Sequence, residues 1–221
     1  MSENTLIKSN CTLSNCYIGS NCIIKSGAII GGTGFGFDPI SKIKIQHIGD
    51  VVIGNNCSIG SNVIIRNTIL KNEVRILDSC VIGKKGFGFF PKKEKNFRYP
   101  HIGMVVINDN SEIGCCSTID RGSMSNTVIG KNTYLDNQIH IAHNNIIGDN
   151  CIIAGQVGFA GSSKLGNNVM IGGQAGISGH LKIGSNVQIA GGSGVIKDIQ
   201  DNSRVMGYPA KDLKNFIKDN M

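Results

Sequence analysis

The chain has 221 residues, 5% of them aromatic, with no tryptophan, 30 glycines, 4 prolines and a formal net charge of +7. This composition argues against a core of large side chains and favours many tight turns with repetitive packing. No apolar run reaches the roughly 18 residues that cross a bilayer, and no signal peptide opens the sequence. We therefore expect a cytoplasmic protein without a membrane span.

The first half of the chain carries short runs with an apolar residue at every sixth position. The runs pass through Ile18, Ile24 and Ile30, then Ile53, Ile59 and Ile65, then Leu70, Ile76 and Ile82, and then Ile107, Ile113 and Ile119. Loops at 31–50 and 84–103 interrupt them; both contain GFGF and HIG, so they look like copies of one another. A third, shorter insertion into the six-residue repeat lies within IDRGSMSNTVIG. Loops this long in a compact repeat usually have a function.

From Ile129 to Val195 the six-residue spacing is unbroken and the residue after each marker is usually small. This hexapeptide repeat predicts a short strand and a corner per hexad, with three hexads, about 18 residues, in each coil of a parallel β-helix. We assign residues 1–200 to this domain. Residues 201–221 are predicted to form a turn and a short amphipathic helix, which has Leu213, Phe216 and Ile217 at helical spacing and caps the solenoid.

The eight cysteines mostly occupy positions where the repeat requires a small apolar residue. They are interpreted as reduced, buried thiols, and no CxxC pair indicates a structural zinc site. The positive charge gathers at residues 84–98 and in the C-terminal lysines Lys211, Lys214 and Lys218. This charge suits a solvated surface or an acidic partner, whereas no aromatic and basic platform for nucleic acid is evident.

The register of the hexads places several polar residues in space. His143 lies on a corner, and steps of 18 residues lead from it to Gly161 and then to Gly179, beside His180. His140 points outward from a strand face. A histidine beside an uncovered glycine amide provides a base and an oxyanion donor, the two groups that acyl transfer needs. The alternatives are that these are ordinary exposed corner residues, or that the histidines bind zinc, for which a third ligand is not evident.

The motifs GFGF, STIDRGSMSNTVIG, LDNQIHIAHN, IAGQVGFAGSSKLGNNVMIGGQAGISGHLKIG and VMGYPAK, between Ile82 and Lys211, resemble the UDP-3-O-acylglucosamine N-acyltransferases of lipid A biosynthesis. The resemblance implies a left-handed parallel β-helix and a cytoplasmic homotrimer with active sites between subunits. It also implies transfer of a 3-hydroxyacyl chain from acyl carrier protein to the amine of a UDP-glucosamine derivative. No metal or other cofactor is expected.

The resemblance also implies roles for individual residues. His143 would be the general base, the Gly161 amide the oxyanion donor, and His180 an assisting group at the same edge. The predicted substrate-binding residues are Asp136, Asn137, Gln138, His140 and Gly179. Because Asp136 lies one corner before His143, the two are expected to meet across a subunit interface. The small residues 191–194 would leave room for an acyl chain, and the basic tail would suit the acidic carrier protein.

One departure from the family concerns its N-terminal uridine-binding domain, which we expect to be missing because the hexads begin near the start of the sequence. The GFGF loops, with Phe35, Phe37, Phe87, Phe89 and Tyr99, would either hold the nucleotide or pack onto the solenoid. Two other functions stay open. One is an acetyl-CoA-dependent N-acetyltransferase that acts on a UDP-amino sugar of surface polysaccharide, and the other is a non-catalytic scaffold.

Overall fold

The computed structural model describes residues 3–37, 44–48 and 50–220, and of 33–37, 44–48 and 220 it describes the backbone alone. The predicted GFGF loop at 31–50 therefore lies partly outside the described residues, and so do the side chains of Phe35 and Phe37. Within the described part of the chain, no helix is long and apolar enough to cross a bilayer.

Three parallel sheets form the faces of a β-solenoid. The strands of sheet A are Leu6–Ile7, Ile23–Ile24, Ser58–Ile59, Arg75–Ile76, Glu112–Ile113, Tyr134–Leu135, Ile152–Ile153, Met170–Ile171, Gln188–Ile189, Arg204–Met206 and Lys211–Asp212. The strands of sheet B are Thr12–Ser14, Ile29–Gly31, Ile64–Ile65, Val81–Lys85, Thr118–Arg121, His140–Ile141, Gly158–Phe159, Gly176–Ile177 and Gly194–Val195. The strands of sheet C are Cys16–Ile18, Val51–Ile53, Thr68–Leu70, Val105–Ile107, Thr127–Ile129, Ile146–Ile147, Lys164–Leu165 and Lys182–Ile183.

The predicted register is confirmed by the strand pairs. His140 pairs with Gly158 and Gly158 with Gly176, so each coil takes 18 residues in this part of the chain. The apolar markers, such as Ile141 and Phe159, are buried along the axis of the solenoid. These features confirm the predicted fold class, a left-handed parallel β-helix with loop insertions and a short C-terminal helix.

The corners between the sheets repeatedly use a left-handed backbone conformation. The residue three positions after the marker has a positive φ at Gln138 (59°), Asn144 (63°), Ser162 (69°) and His180 (63°). Asparagine tolerates this conformation better than most residues, and it is common at the corners of this chain.

Four of the eight cysteines are buried at corners of the coils, as predicted, whereas Cys11, Cys16 and Cys115 are half-buried and Cys116 is exposed. Cys57 and Cys80 donate their thiols to the carbonyls of Lys71 and Gly114 at 3.1 and 3.0 Å. All eight cysteines are free. Burial raises the pKa of Cys57 to about 12 and that of Cys80 to about 11, so these thiols stay protonated and behave as small apolar groups.

The two GFGF loops share one secondary structure, which agrees with their similarity in sequence. Each forms an antiparallel hairpin after a strand of sheet B: Thr33–Phe37 pairs with Lys44–Ile48, and Phe89–Phe90 pairs with Phe97–Arg98. Beyond residue 200, Arg204–Met206 adds one more parallel strand to sheet A and Lys211–Asp212 pairs with it in antiparallel orientation. The helix Leu213–Asn220 packs against these two strands.

Candidate active site

The predicted edge between sheets B and C exists, and we call it the B/C edge. Gly161 and Gly179 follow His143 on successive coils, and the backbone N–H of His180 donates to the Gly161 carbonyl at 3.1 Å. In the repeat, His180 is equivalent to Asn144 and Ser162 on the two preceding coils. Its corner position is therefore one residue beyond the position that His143 occupies. Its exposed side chain therefore projects from the neighbouring position of the same edge.

The imidazole of His143 lies against Gly161. A Cβ atom at residue 161 would lie 2.6 Å from His143 Cε1 and 2.9 Å from its Nε2, so the ring occupies the space that any side chain there would need. Among the described residues, no acceptor receives the Gly161 N–H, whereas the next amide, that of Ser162, donates to the His143 carbonyl at 2.9 Å. The base and a free amide donor therefore lie side by side.

Asn144 fixes which nitrogen of His143 carries the proton. Its Nδ2 donates to the Ser125 carbonyl at 3.1 Å, and its Oδ1 accepts from the Ser123 N–H at 3.2 Å. Because a carbonyl only accepts and an amide N–H only donates, these two bonds assign the orientation of the Asn144 amide. Its Oδ1 lies 2.9 Å from His143 Nδ1, so Nδ1 carries the proton and Nε2 keeps a lone pair.

The turn that carries His143 is held from inside the solenoid. Asn145 is fully buried and donates through Nδ2 to the carbonyls of Ala142 and Ala160 at 2.8 and 3.0 Å. Its Oδ1 accepts from the Ser163 N–H at 3.0 Å. These bonds tie the His143 corner to the next coil and limit the movement of the base.

His140 and Asp120 lie on the outer face of sheet B, next to this edge. Thr118 Oγ1 is 2.7 Å from His140 Nδ1, and Asp120 Oδ2 is 3.8 Å from His140 Nε2. Burial raises the pKa of Asp120, and its electrostatic interactions with His140, His143 and Arg98 oppose that increase. Asp120 was not among the predicted site residues, although it lies in the TIDRG motif that carries part of the family resemblance.

The second GFGF loop covers the N-terminal side of the site. A cavity of about 430 Å³ beside His143 is lined mainly by this loop and the 122–126 insertion: Gly88, Phe89, Tyr99, His101, Ser123, Met124, Ser125, His143 and Asn144. Arg98 anchors the loop by donating to the Gly86 carbonyl at 2.8 Å. The rings of Phe87 and Phe89 pack edge to face with centroids 5.0 Å apart, and Arg98 lies over the Phe89 ring. The loop therefore forms a wall of the site.

The remaining predicted residues lie on the edge between sheets A and B, which we call the A/B edge. Asn137 donates to Asp136 Oδ1 at 2.8 Å, and its own Oδ1 accepts from the Cys115 N–H at 2.8 Å. Gln156 donates to Gln138 Oε1 at 2.8 Å. One chain therefore does not bring Asp136, Asn137 or Gln138 to His143, in agreement with the expected meeting across subunits, which stays a prediction.

No protein-family model matches the chain. Among curated proteins it is 44% identical over 163 residues to the UDP-3-O-acylglucosamine N-acyltransferase of Caulobacter vibrioides, a match that covers 74% of this chain and 48% of the relative. It is 42% identical over 90 residues to the enzyme of that name from Bradyrhizobium diazoefficiens, covering 40% and 25%. The chain is similar to UDP-3-O-acylglucosamine N-acyltransferases. The matches span between a quarter and about half of these relatives' own lengths.

The similar solved structures are UDP-N-acetylglucosamine acyltransferases. The UDP-N-acetylglucosamine acyltransferase from Campylobacter jejuni superposes with a TM-score of 0.75 at 25% identity, over 93% of this chain and 73% of that chain. The UDP-N-acetylglucosamine acyltransferase of Francisella novicida superposes with a TM-score of 0.79 at 23% identity, over 97% and 73%. The Campylobacter jejuni structure supports the resemblance to UDP-sugar acyltransferases. The Francisella novicida structure, at the lower identity, supports the fold alone.

Proposed function

We propose that this chain is an N-acyltransferase that moves a 3-hydroxyacyl chain from acyl carrier protein to the amine of a UDP-glucosamine-type sugar in lipid A synthesis. One observation carries the proposal: His143, with its Nδ1 proton held by Asn144, lies against the free amide of Gly161. The similarity to named N-acyltransferases supports the substrate class. A cytoplasmic homotrimer remains part of the proposal.

His143 Nε2 takes the proton of the attacking amine as the amine nitrogen bonds to the thioester carbon. Negative charge develops on the former carbonyl oxygen, which the Gly161 N–H stabilises. The carbon–sulfur bond then breaks, and the proton held by His143 passes to the departing thiolate. His180 assists at the same edge, and Gly179 leaves the backbone accessible to substrate.

The acceptor is bound by residues from both edges. Asp136, Asn137 and Gln138 of a neighbouring subunit would face His143 and position the amino sugar, with His140 lining the cleft. Around the second GFGF loop, burial and the charges of Arg98 and Arg121 lower the pKa of Lys85, which indicates closely grouped cations. Such a group suits the diphosphate of a UDP-sugar.

An acyl chain fits the outer face of sheet B beyond His140. The outward residues there are Gly158, Gly176 and Gly194, on successive coils. A Cβ at Gly158 or Gly176 would have no atom within 4 Å, whereas one at Gly194 would contact the ring of Tyr208. The bare strip therefore covers Gly158 and Gly176, about 10 Å over two coil steps, and ends at the Tyr208 ring. This length favours a long acyl donor over acetyl-CoA.

The proposed carrier-protein contact involves the C-terminal lysines. Lys211 Nζ already lies 2.6 Å from Asp219 Oδ2, so its charge is partly compensated. Lys214 and Lys218 remain as exposed cations on the helix. Either of them is a better candidate for contact with an acidic carrier protein than Lys211.

The test is a panel of donors and acceptors. The protein is incubated with 3-hydroxyacyl chains on acyl carrier protein, or with acetyl-CoA, and with several UDP-amino sugars, and the amide is detected by mass spectrometry. Amide formed only from the carrier-protein donor supports the proposal, and amide formed from acetyl-CoA would favour the polysaccharide N-acetyltransferase. No product with any donor, from protein shown to be folded, would favour the scaffold.

A further inference from the structure

A second histidine lies behind His143, in the GFGF loop. His101 is 1% exposed, and its Nδ1 is 3.0 Å from the Tyr99 carbonyl. Because a carbonyl only accepts, Nδ1 carries the proton and Nε2 keeps a lone pair. That Nε2 is buried and has no hydrogen-bond partner among the described residues. Buried polar atoms almost always find a partner, so an orphaned lone pair beside a reactive group calls for an explanation.

The unpaired His101 Nε2 and the edge of the His143 ring both lie next to Gly86. The two imidazole centroids are 5.2 Å apart, with the ring planes at 75°. The position of a Cβ at residue 86 lies 3.1 Å from His101 Nε2 and 3.0 Å from His143 Cδ2, so these two ring edges border the same point. Glycine at residue 86 lets the loop close over both rings, and a larger side chain would separate them.

The surroundings keep His101 neutral. Burial, the His143 ring and the charges of Arg98 and Arg121 lower the pKa of His101, while its hydrogen bond to the Tyr99 carbonyl opposes them. The carboxyl group of Asp120 interacts electrostatically with the His143 ring. Two rings this close do not both hold a proton easily. The proton that His143 takes from the amine is therefore not passed on to His101.

We propose that His101 is a positioning residue for His143. The neutral His101 ring holds the His143 ring over Gly161. The lone pair of His101 Nε2 is directed toward the edge of the His143 ring, which becomes cationic during transfer. The lone pair, unpaired while His143 is neutral, then faces a positively polarised C–H edge. This inference deepens the proposed function, because it concerns the base assigned there.

The first test uses nuclear magnetic resonance of the full chain with ¹⁵N-labelled histidine, and needs no substrate. We expect His101 to appear as a neutral ring protonated at Nδ1, and to stay neutral when the pH falls through about 6.5, where a free imidazole titrates. A proton on Nε2, or titration like a free imidazole, would overturn the inference. The result does not depend on whether transfer is observed, so it separates this inference from the proposed function.

The second test compares His101→Phe, which keeps a planar ring but has no lone pair, with His101→Gln, which keeps an acceptor. In His101→Phe we expect the His143 resonances to move and kcat to fall by about tenfold, with a small change in KM. We also expect the acidic limb of the pH–rate profile to shift. In His101→Gln these quantities should return toward wild type. If the two variants have the same kcat and pH–rate profile, or if the His143 resonances do not move in His101→Phe, then His101 only packs against its neighbours and does not position His143.

Discussion

His143 and Gly161 are in contact across one coil of the solenoid: the imidazole lies where a side chain of residue 161 would be. Gly161→Ala should therefore displace the base and lower the transfer rate by about 100-fold or more, since small misplacements of catalytic groups are costly. Steady-state kinetics measure the effect. Gly173→Ala is the matched control, because Gly173 is a corner glycine of the A/B edge whose Cβ would meet the Gly155 carbonyl oxygen at 3.1 Å and no histidine ring. If both variants lose the same activity, the contact with His143 is not the cause.

Asn144 should affect the rate rather than substrate binding. Asn144→Gly tolerates the positive φ and removes the acceptor that holds His143 Nδ1–H, so we expect kcat to fall by about 10- to 100-fold with little change in KM. Asn168→Gly changes an asparagine of the same conformation on another edge and should retain activity. A rise in KM alone in Asn144→Gly would assign Asn144 to substrate binding.

The glycine strip on sheet B should decide the length of the acyl donor. Gly176→Leu places a side chain where nothing now lies within 4 Å, and so blocks the strip beyond His140. Transfer from long 3-hydroxyacyl donors is expected to fall, while any transfer of short chains persists. Mass spectrometry of reactions with donors of graded length checks this. If the Gly176→Leu variant keeps the same preference for long donors, the acyl chain does not bind on this face of sheet B.

Folding stability should depend on pH through His101. The pKa of His101 is lowered by burial, so below about 6.5 the unfolded chain binds a proton that the folded chain does not. Stability contributed by this group is therefore present above about 6.5 and decreases as the pH falls below it. Urea unfolding midpoints at about pH 7.5 and about pH 5 should differ more for wild type than for His101→Gln. The same difference in both proteins would show that His101 does not titrate on unfolding.

We expect the rate at which iodoacetamide alkylates each cysteine of the native protein to follow the exposure of its thiol. Cys22, Cys57, Cys80 and Cys151 are buried, and burial raises the pKa values of the last three. These four thiols should react only after unfolding, whereas the exposed Cys116 should react first. Peptide mass spectrometry measures the order. Rapid native labelling of Cys57 would show that the corners of the solenoid open.

The hexad register was sufficient to place His143, Gly161 and Gly179 on one edge and Asp136 on another, because the coil length is fixed by the repeat. It also separated His140, on a strand face, from His143. It could not place His101, since the 84–103 loop leaves the repeat and its path depends on packing against the 122–126 insertion. The role of Asn144 was missed for the same reason: its partners are Ser123 and Ser125 in that insertion.

The most direct test of the central claim is the transfer rate of His143→Ala beside that of His140→Ala, both checked for native circular dichroism. If His143 is the general base, His143→Ala loses about 10²- to 10⁴-fold in kcat, while His140→Ala, which alters the cleft wall, loses far less. Turnover by His143→Ala at a rate near that of the wild type would contradict the assignment of His143 as the base.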